Sequence, residues 1–172
     1  MDFTINTIRD AIGFGARSNK FFCQFPSLGD NLENEMTYFL TSIECPEKSI
    51  GELVINWQGH TFKVPGDATV APITATFQVD QNMKSYNYID LWLKLVFDTH
   101  TNSRGLLDEI QKDLTINQLG PNNEIVGKWV IQKMFPTNIG PISFDKDSVD
   151  TIGQFTVTFA CNDYEFVSVG TV

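Results

Sequence analysis

Apolar and polar positions change period along the chain, and each change marks an element. Ile5, Ile8 and Ile12 fall at helical spacing, so residues 4–12 read as a short amphipathic helix closed by Gly13 and Gly15. Residues 19–25 (NKFFCQF) read as a strand ended by Pro26, and residues 36–45 (MTYFLTSIEC) as a second strand ended by Pro46. Residues 53–64 (LVINWQGHTFKV) have two alternating arms around Gln58-Gly59, the pattern of a hairpin, with Pro65 and Gly66 expected to stop the second arm. Residues 71–80 alternate cleanly. Ile73, Ala75, Phe77 and Val79 share one face, and Thr74, Thr76, Gln78 and Asp80 share the other.

The period then lengthens. Tyr88, Leu91, Trp92 and Leu95 lie at i, i+3, i+4 and i+7, which predicts a helix over residues 85–97 with a broad apolar stripe. A short second helix is expected over 106–114. Residues 124–135 (EIVGKWVIQKMF) predict a strand, 136–140 a turn and 141–145 a short strand. Residues 152–161 (IGQFTVTFAC) predict a last long strand with Phe155, Val157, Phe159 and Cys161 on one face. Mostly strands, one central helix and strands again make a mainly β, α+β chain. The expected architecture is an antiparallel β-sandwich or partly closed barrel, with one flanking helix and a projecting hairpin.

Charge narrows the function. Twelve basic residues stand against twenty-one acidic ones, a net charge of −9. Sequence-specific DNA binding needs a basic surface, so the charge argues against that class. It does not argue against a protein that lets nucleic acid pass without holding it. The 172 residues suit one domain. The first fourteen carry Asp2, Arg9 and Asp10 and so no apolar signal core, and no stretch is apolar enough for a membrane anchor. Three widely spaced cysteines, Cys23, Cys45 and Cys161, read as free thiols, and the chain is expected to be made and assembled in a cytoplasm.

Candidate chemistry is thin. His60 and His100 have no partner at metal-ligand spacing, and His60 beside the hairpin turn reads as a surface residue. Gly13-Phe14-Gly15 follows a helix rather than a strand and lacks the third glycine of a dinucleotide loop. Asp145, Asp147 and Asp150 start like a calcium loop, but Asp150 stands where glycine is needed and Thr156 where glutamate is needed. No motif asks for an enzyme, and no cofactor is expected. The hairpin is more informative, because Val54, Ile55, Trp57 and Phe62 place apolar side chains on a projecting arm. They pack either on their own domain or on a neighbouring copy.

Three segments carry a family resemblance. One is Phe62-Lys63-Val64-Pro65-Gly66-Asp67, upstream of the strand at Ile73–Phe77. Another is Phe135-Pro136-Thr137-Asn138-Ile139-Gly140-Pro141-Ile142, followed by Phe144-Asp145. The last is the strand Gln154–Ala160 running into Asp163-Tyr164-Glu165. With Trp92 in the central helix, this order resembles the major tail tube proteins of contractile-tailed bacteriophages, over about residues 18–166. Residues 102–118 and the last six residues do not follow the family pattern.

The resemblance implies a single tail tube domain over 1–172, with an N-terminal arm (1–17), a projecting hairpin (51–67) and a C-terminal tail (162–172). It implies a virion protein that forms homohexameric rings. These stack into a hollow tube that conducts viral DNA, with the tail sheath, a baseplate or tube initiator and a tape measure protein as partners. It also implies a family turn at Pro136, Thr137, Asn138 and Gly140, and N-terminal arm contacts through Ile5, Ile8 and Ile12. Inter-ring contacts are expected from the hairpin: Val54, Ile55, Trp57, Gln58, Gly59, His60 and Phe62. An acidic lumen is expected. The alternatives are the tube of a protein-translocating phage-like or secretion particle, and a small-ligand-binding β-sandwich module.

Overall fold

The computed structural model describes residues 17–29, 32–147 and 149–168. The predicted N-terminal helix, with Ile5, Ile8 and Ile12, and the Gly13–Gly15 loop lie outside the described residues. The elements are β1 (Phe21–Gln24), α1 (Glu33–Phe39), β2 (Leu40–Ile43), β3 (Lys48–Trp57), β4 (His60–Val70), β5 (Ile73–Gln78), α2 (Lys84–Val96), α3 (Leu107–Ile110), β6 (Lys112–Leu119), β7 (Ile125–Ile139), β8 (Gln154–Ala160) and β9 (Asp163–Ser168).

Strand β7 organises the molecule. Its first half, Gly127–Gln132, lies between β6 and β9, and its second half, Phe135–Ile139, pairs with β8. One layer is therefore β1-β6-β7-β9 and the other β7-β8-β5-β2, all antiparallel and joined through one strand. The two halves meet at a bulge, where pairing steps from Leu114↔Ile131 to Lys112↔Met134. Lys133 takes a left-handed φ of 52° there, and its backbone N–H donates to Asp113 Oδ1 at 2.9 Å. A bulge of this kind lets a strand bend from one sheet into another.

The alternation read from the sequence sets the core. Ile73, Ala75 and Phe77 of β5 and Phe155, Val157 and Phe159 of β8 face inward, opposite Leu114, Ile116 and Ile131 of the other layer. Helix α2 presents Tyr88, Ile89 and Trp92 to the same core. The aromatic rings are in contact: Phe77 and Phe155 have centroids 5.6 Å apart, and Trp92 and Phe159 5.8 Å apart. Trp92 is fully buried, so its indole N–H needs a partner, and it donates to the Ile110 carbonyl at 2.8 Å. That bond explains why only one turn of the helix expected over 106–114 exists. Leu114 and Ile116 alternate into the core, and the chain becomes β6 at Lys112.

Four other readings are corrected. Residues 36–39 are helix, not strand, because Leu32, Met36, Phe39 and Leu40 recur at helical spacing and pack on the core. Tertiary burial here outweighs the β-propensity of Thr37, Tyr38 and Phe39. Pro65-Gly66 does not end the hairpin. Pairing steps from Glu52↔Pro65 to Ile50↔Ala68, so Gly66 and Asp67 together face Gly51 in a bulge, and a Cβ on Gly66 would lie 3.2 Å from the Gly51 carbonyl oxygen. The family motif Pro136–Gly140 is not a turn but the end of β7. The register slips between Pro136↔Phe159 and Asn138↔Thr158, so a proline without an N–H sits at an irregularity of the ladder. Residues 141–145 form no strand; at their end the Asp145 carboxylate accepts from the Asp147 N–H at 3.0 Å. The expected tail over 162–172 contributes β9, paired with β7 from Gly127↔Ser168 to Gln132↔Asp163.

Candidate assembly surface

The hairpin β3–β4 leaves the body as a two-stranded ribbon. Its turn residues, Gln58 at φ 47° and Gly59 at φ 82°, both take left-handed backbone, the geometry that matches the twist of a tight hairpin. Every residue of β3, and of β4 as far as Thr69, is exposed. Register sorts the side chains. Trp57 lies opposite His60, Ile55 opposite Phe62 and Leu53 opposite Val64, so these six share one face. Val54 lies opposite Lys63 and Asn56 opposite Thr61, on the other face. That second face is tied by polar contacts: Lys63 Nζ sits 2.7 Å from Glu52 Oε2, and the Thr61 hydroxyl donates to Asn56 Oδ1 at 3.2 Å.

One face is thus almost wholly apolar and uncovered. Trp57 is 65% exposed, Leu53 57%, Phe62 54%, Ile55 46% and Val64 41%. Side chains of this size form a patch of at least a few hundred Å², above what scattered surface hydrophobes present. Of the residues expected to make contacts, Ile55, Trp57, His60 and Phe62 stand together on this face, with Gln58 and Gly59 at its tip. Val54 points the opposite way. Leu53 and Val64 complete the face; counting by twos outward from Gln58-Gly59 finds them in the sequence.

The root of the ribbon is fixed to β9. Lys48 Nζ lies 2.9 Å from Asp163 Oδ1 and 5.8 Å from the centre of the Tyr164 ring. The Lys48 ammonium, with the Tyr164 N–H, holds the Asp163 carboxyl below its usual range. The family motif does different work. Thr137 donates its hydroxyl proton to the Thr158 carbonyl at 3.1 Å, and the Gly140 N–H donates to the Thr156 carbonyl at 2.6 Å. These residues lock β7 to β8.

A second surface is the non-core face of β5 and β8. Thr74 pairs with Thr158, Thr76 with Thr156 and Gln78 with Gln154, and Ser42 and Asn138 extend the row on either side. None of these side chains is charged. Neither histidine has a catalytic partner among the hydrogen bonds of the described residues. His60 is at the hairpin tip, while His100 lies in the turn closed by the Asp98–Ser103 bridge. Among the described residues no three His, Cys, Asp or Glu side chains could hold a metal ion, and no helix is long and apolar enough to cross a membrane. Cys23 is buried, which pushes its thiol up to about 12 with a small addition from Cys45.

The family profile described as "Phage tail tube protein" matches residues 11–167. The chain belongs to the phage tail tube family. The tail tube protein of Serratia phage KSP90 is 25% identical over 161 residues, covering 89% of this chain and 91% of its own. Two solved structures share the fold. One is from the tube-terminating cap of the anti-feeding prophage, with a TM-score of 0.71 at 18% identity, covering 98% of this chain and 97% of its own. The other is from the sheath-tube complex of the extracellular contractile injection system PVC in the extended state, with a TM-score of 0.66 at 19% identity, covering 98% and 100%. This tail tube chain is a structural protein of the virion tail, not a member of an enzyme family.

Proposed function

We propose that this subunit assembles with copies of itself into homohexameric rings that stack into a hollow tube conducting viral DNA. The observation that carries the reading is the uncovered apolar face of the hairpin. A ribbon with two free edges and several exposed large side chains is unstable against association, and a neighbouring copy supplies the cover. The hairpin then reaches the adjacent ring through Ile55, Trp57 and Phe62. The segment bearing Ile5, Ile8 and Ile12 is a further arm. A contact between two different patches closes into a ring or grows as a filament, and a tube needs both.

Transit without binding follows from charge. A chain of net charge −9 repels phosphates on balance, and the uncharged Thr/Gln face offers hydrogen bonds without ion pairs. Sheath, baseplate initiator and tape measure protein are the expected partners, with assembly in the host cytoplasm. The test is negative-stain electron microscopy of the purified protein across a concentration series. Rings with a central hole, or hollow rods of uniform width, are the expected result. Monomers that also fail to polymerise on a baseplate seed would overturn the reading in favour of a ligand-binding module.

A further inference from the structure

The sandwich is open along one side. Among the described residues β1 pairs only with β6, and β2 pairs only with β5, so each leaves an edge without a strand partner there. Both edges border a cleft of about 560 Å³ whose apolar wall is Phe21, Ile43, Ile116 and Trp129, with the polar Gln118 beside them and Lys20 and the exposed Cys45 at its rim. We propose that this cleft receives the apolar face of the hairpin from a second copy of the chain. The proposal rests on the self-assembly reading and names the receiving surface within it.

Three observations select a second copy as the occupant. The first is chemistry. The cleft has an apolar wall bordered by uncharged polar side chains and an open strand edge on each side, and the hairpin offers an apolar face and two open strand edges of its own. The second is charge. Copies of a chain at −9 repel one another, so they meet most readily where acids are missing. Among the described residues lining the cleft, Lys20 carries the only charge, and its ammonium is held 2.9 Å from the Pro121 carbonyl and 3.1 Å from Asn123 Oδ1. From Lys48 to Val70 the hairpin carries two lysines and two acids and is neutral. The third is connectivity. The hairpin leaves the body from β2, one wall of the cleft, as an extended ribbon exposed along its length, so it does not fill its own cleft. Hairpin and cleft are different patches, and the contact propagates.

Cys45 allows a direct test. In a Cys161→Ser background, His60→Cys places a thiol on the docking face beside Trp57. Assembled protein is then exposed to dioxygen with a copper–phenanthroline catalyst, and the linked peptides are identified by mass spectrometry. The expected product is a covalent ladder joined through residues 60 and 45, absent when Cys45→Ser is added. Rods that form without any 60–45 link would overturn the receiving site while leaving the tube reading intact. A protein that never assembles would overturn both. A second arm uses Gln118→Arg, which places a cation in the cleft, with folding checked by circular dichroism. Trp57→Ala keeps an intact cleft and Gln118→Arg an intact hairpin. Each alone should lose rods while keeping rings, and separately prepared rings of the two variants, mixed in equal amounts, should stop at two stacked rings. A folded Gln118→Arg protein that forms rods as well as the parent would sink the proposal.

Discussion

At the residue scale, two side-chain environments decide how the body holds its shape. Asp80 sits ahead of α2, where its carboxylate accepts the Ser85 N–H at 3.1 Å and the Asn82 N–H at 3.2 Å. Burial works to raise its pKa, but these backbone donors and the Ser85 hydroxyl outweigh it, so the carboxyl is held below its usual range. A lowered folded-state value means the stabilisation is complete above the unfolded carboxyl's value, about 3.9, and is lost as pH falls through the lower folded value. Asp80→Ala should cost about 1 kcal/mol at neutral pH, the usual net worth of such a hydrogen bond. The gap from the parent in urea unfolding should narrow on acidification; a gap that holds steady down to pH 2 would assign the loss to packing. Gly140 is the second case. A Cβ there would lie 2.9 Å from the Thr156 carbonyl oxygen, a backbone atom that cannot swing aside. Gly140→Ala should destabilise by about 1–3 kcal/mol, the range for forced overpacking, with β7 and β8 losing amide protection first in hydrogen exchange.

At the element scale, β7 and the hairpin do the structural work and test differently. The β7 bulge is clamped by one hydrogen bond from the Lys133 N–H to Asp113, and it keeps a lysine in left-handed backbone. Asp113→Ala should lower stability by about 1 kcal/mol. Adding Lys133→Gly should recover part of it, because glycine takes that backbone without the steric cost. An additive loss in chemical denaturation would contradict the clamp. The hairpin should behave in the opposite way. Trp57 is 65% exposed on the ribbon and lies outside the buried core, so Trp57→Ala should leave monomer unfolding within about 0.5 kcal/mol while abolishing rods. An unfolded Trp57→Ala monomer would place Trp57 in its own core.

The same elements show what could be read from the chain alone. The alternation of β5 and β8, the stripe of α2 and the Gln58-Gly59 turn were legible because local pattern and final burial agree there. Helix α1 was not, because Thr37, Tyr38 and Phe39 favour strand and only the packing of Met36 overrides them. The bulges at Gly66 and Pro136 were hidden for a related reason. A breaker residue marks an irregularity, and whether the strand stops or continues past it depends on a partner strand far away in sequence. The apolar hairpin face was half visible: Ile55, Trp57 and Phe62 stand out as residues, while adding Leu53 and Val64 and excluding Val54 takes a count by twos from the turn.

At the scale of the whole molecule, the balance is between apolar docking and charge repulsion. Each copy carries −9, and the hydrophobic face that drives contact is neutral, so the repulsion arises from the rest of the surface. Such repulsion acts through solvent over the Debye length, roughly 30 Å at 0.01 M salt and about 8 Å at 0.15 M. Added salt should therefore remove the opposing term and leave apolar burial nearly unchanged. Assembly followed by light scattering should show a shorter lag and a lower critical concentration as ionic strength rises across that range. Contacts built on ion pairs between copies would give the reverse slope. The ion pairs within one copy, Lys48–Asp163, Lys63–Glu52, Lys84–Glu35 and Lys94–Asp90, already engage four of the twelve basic residues. A subunit with its cations partly spent at home and its acids in excess is poorly equipped to bind copies through charge. Assembly that strengthens with salt, and weakens with loss of Trp57 at every salt concentration, is the joint outcome this balance requires.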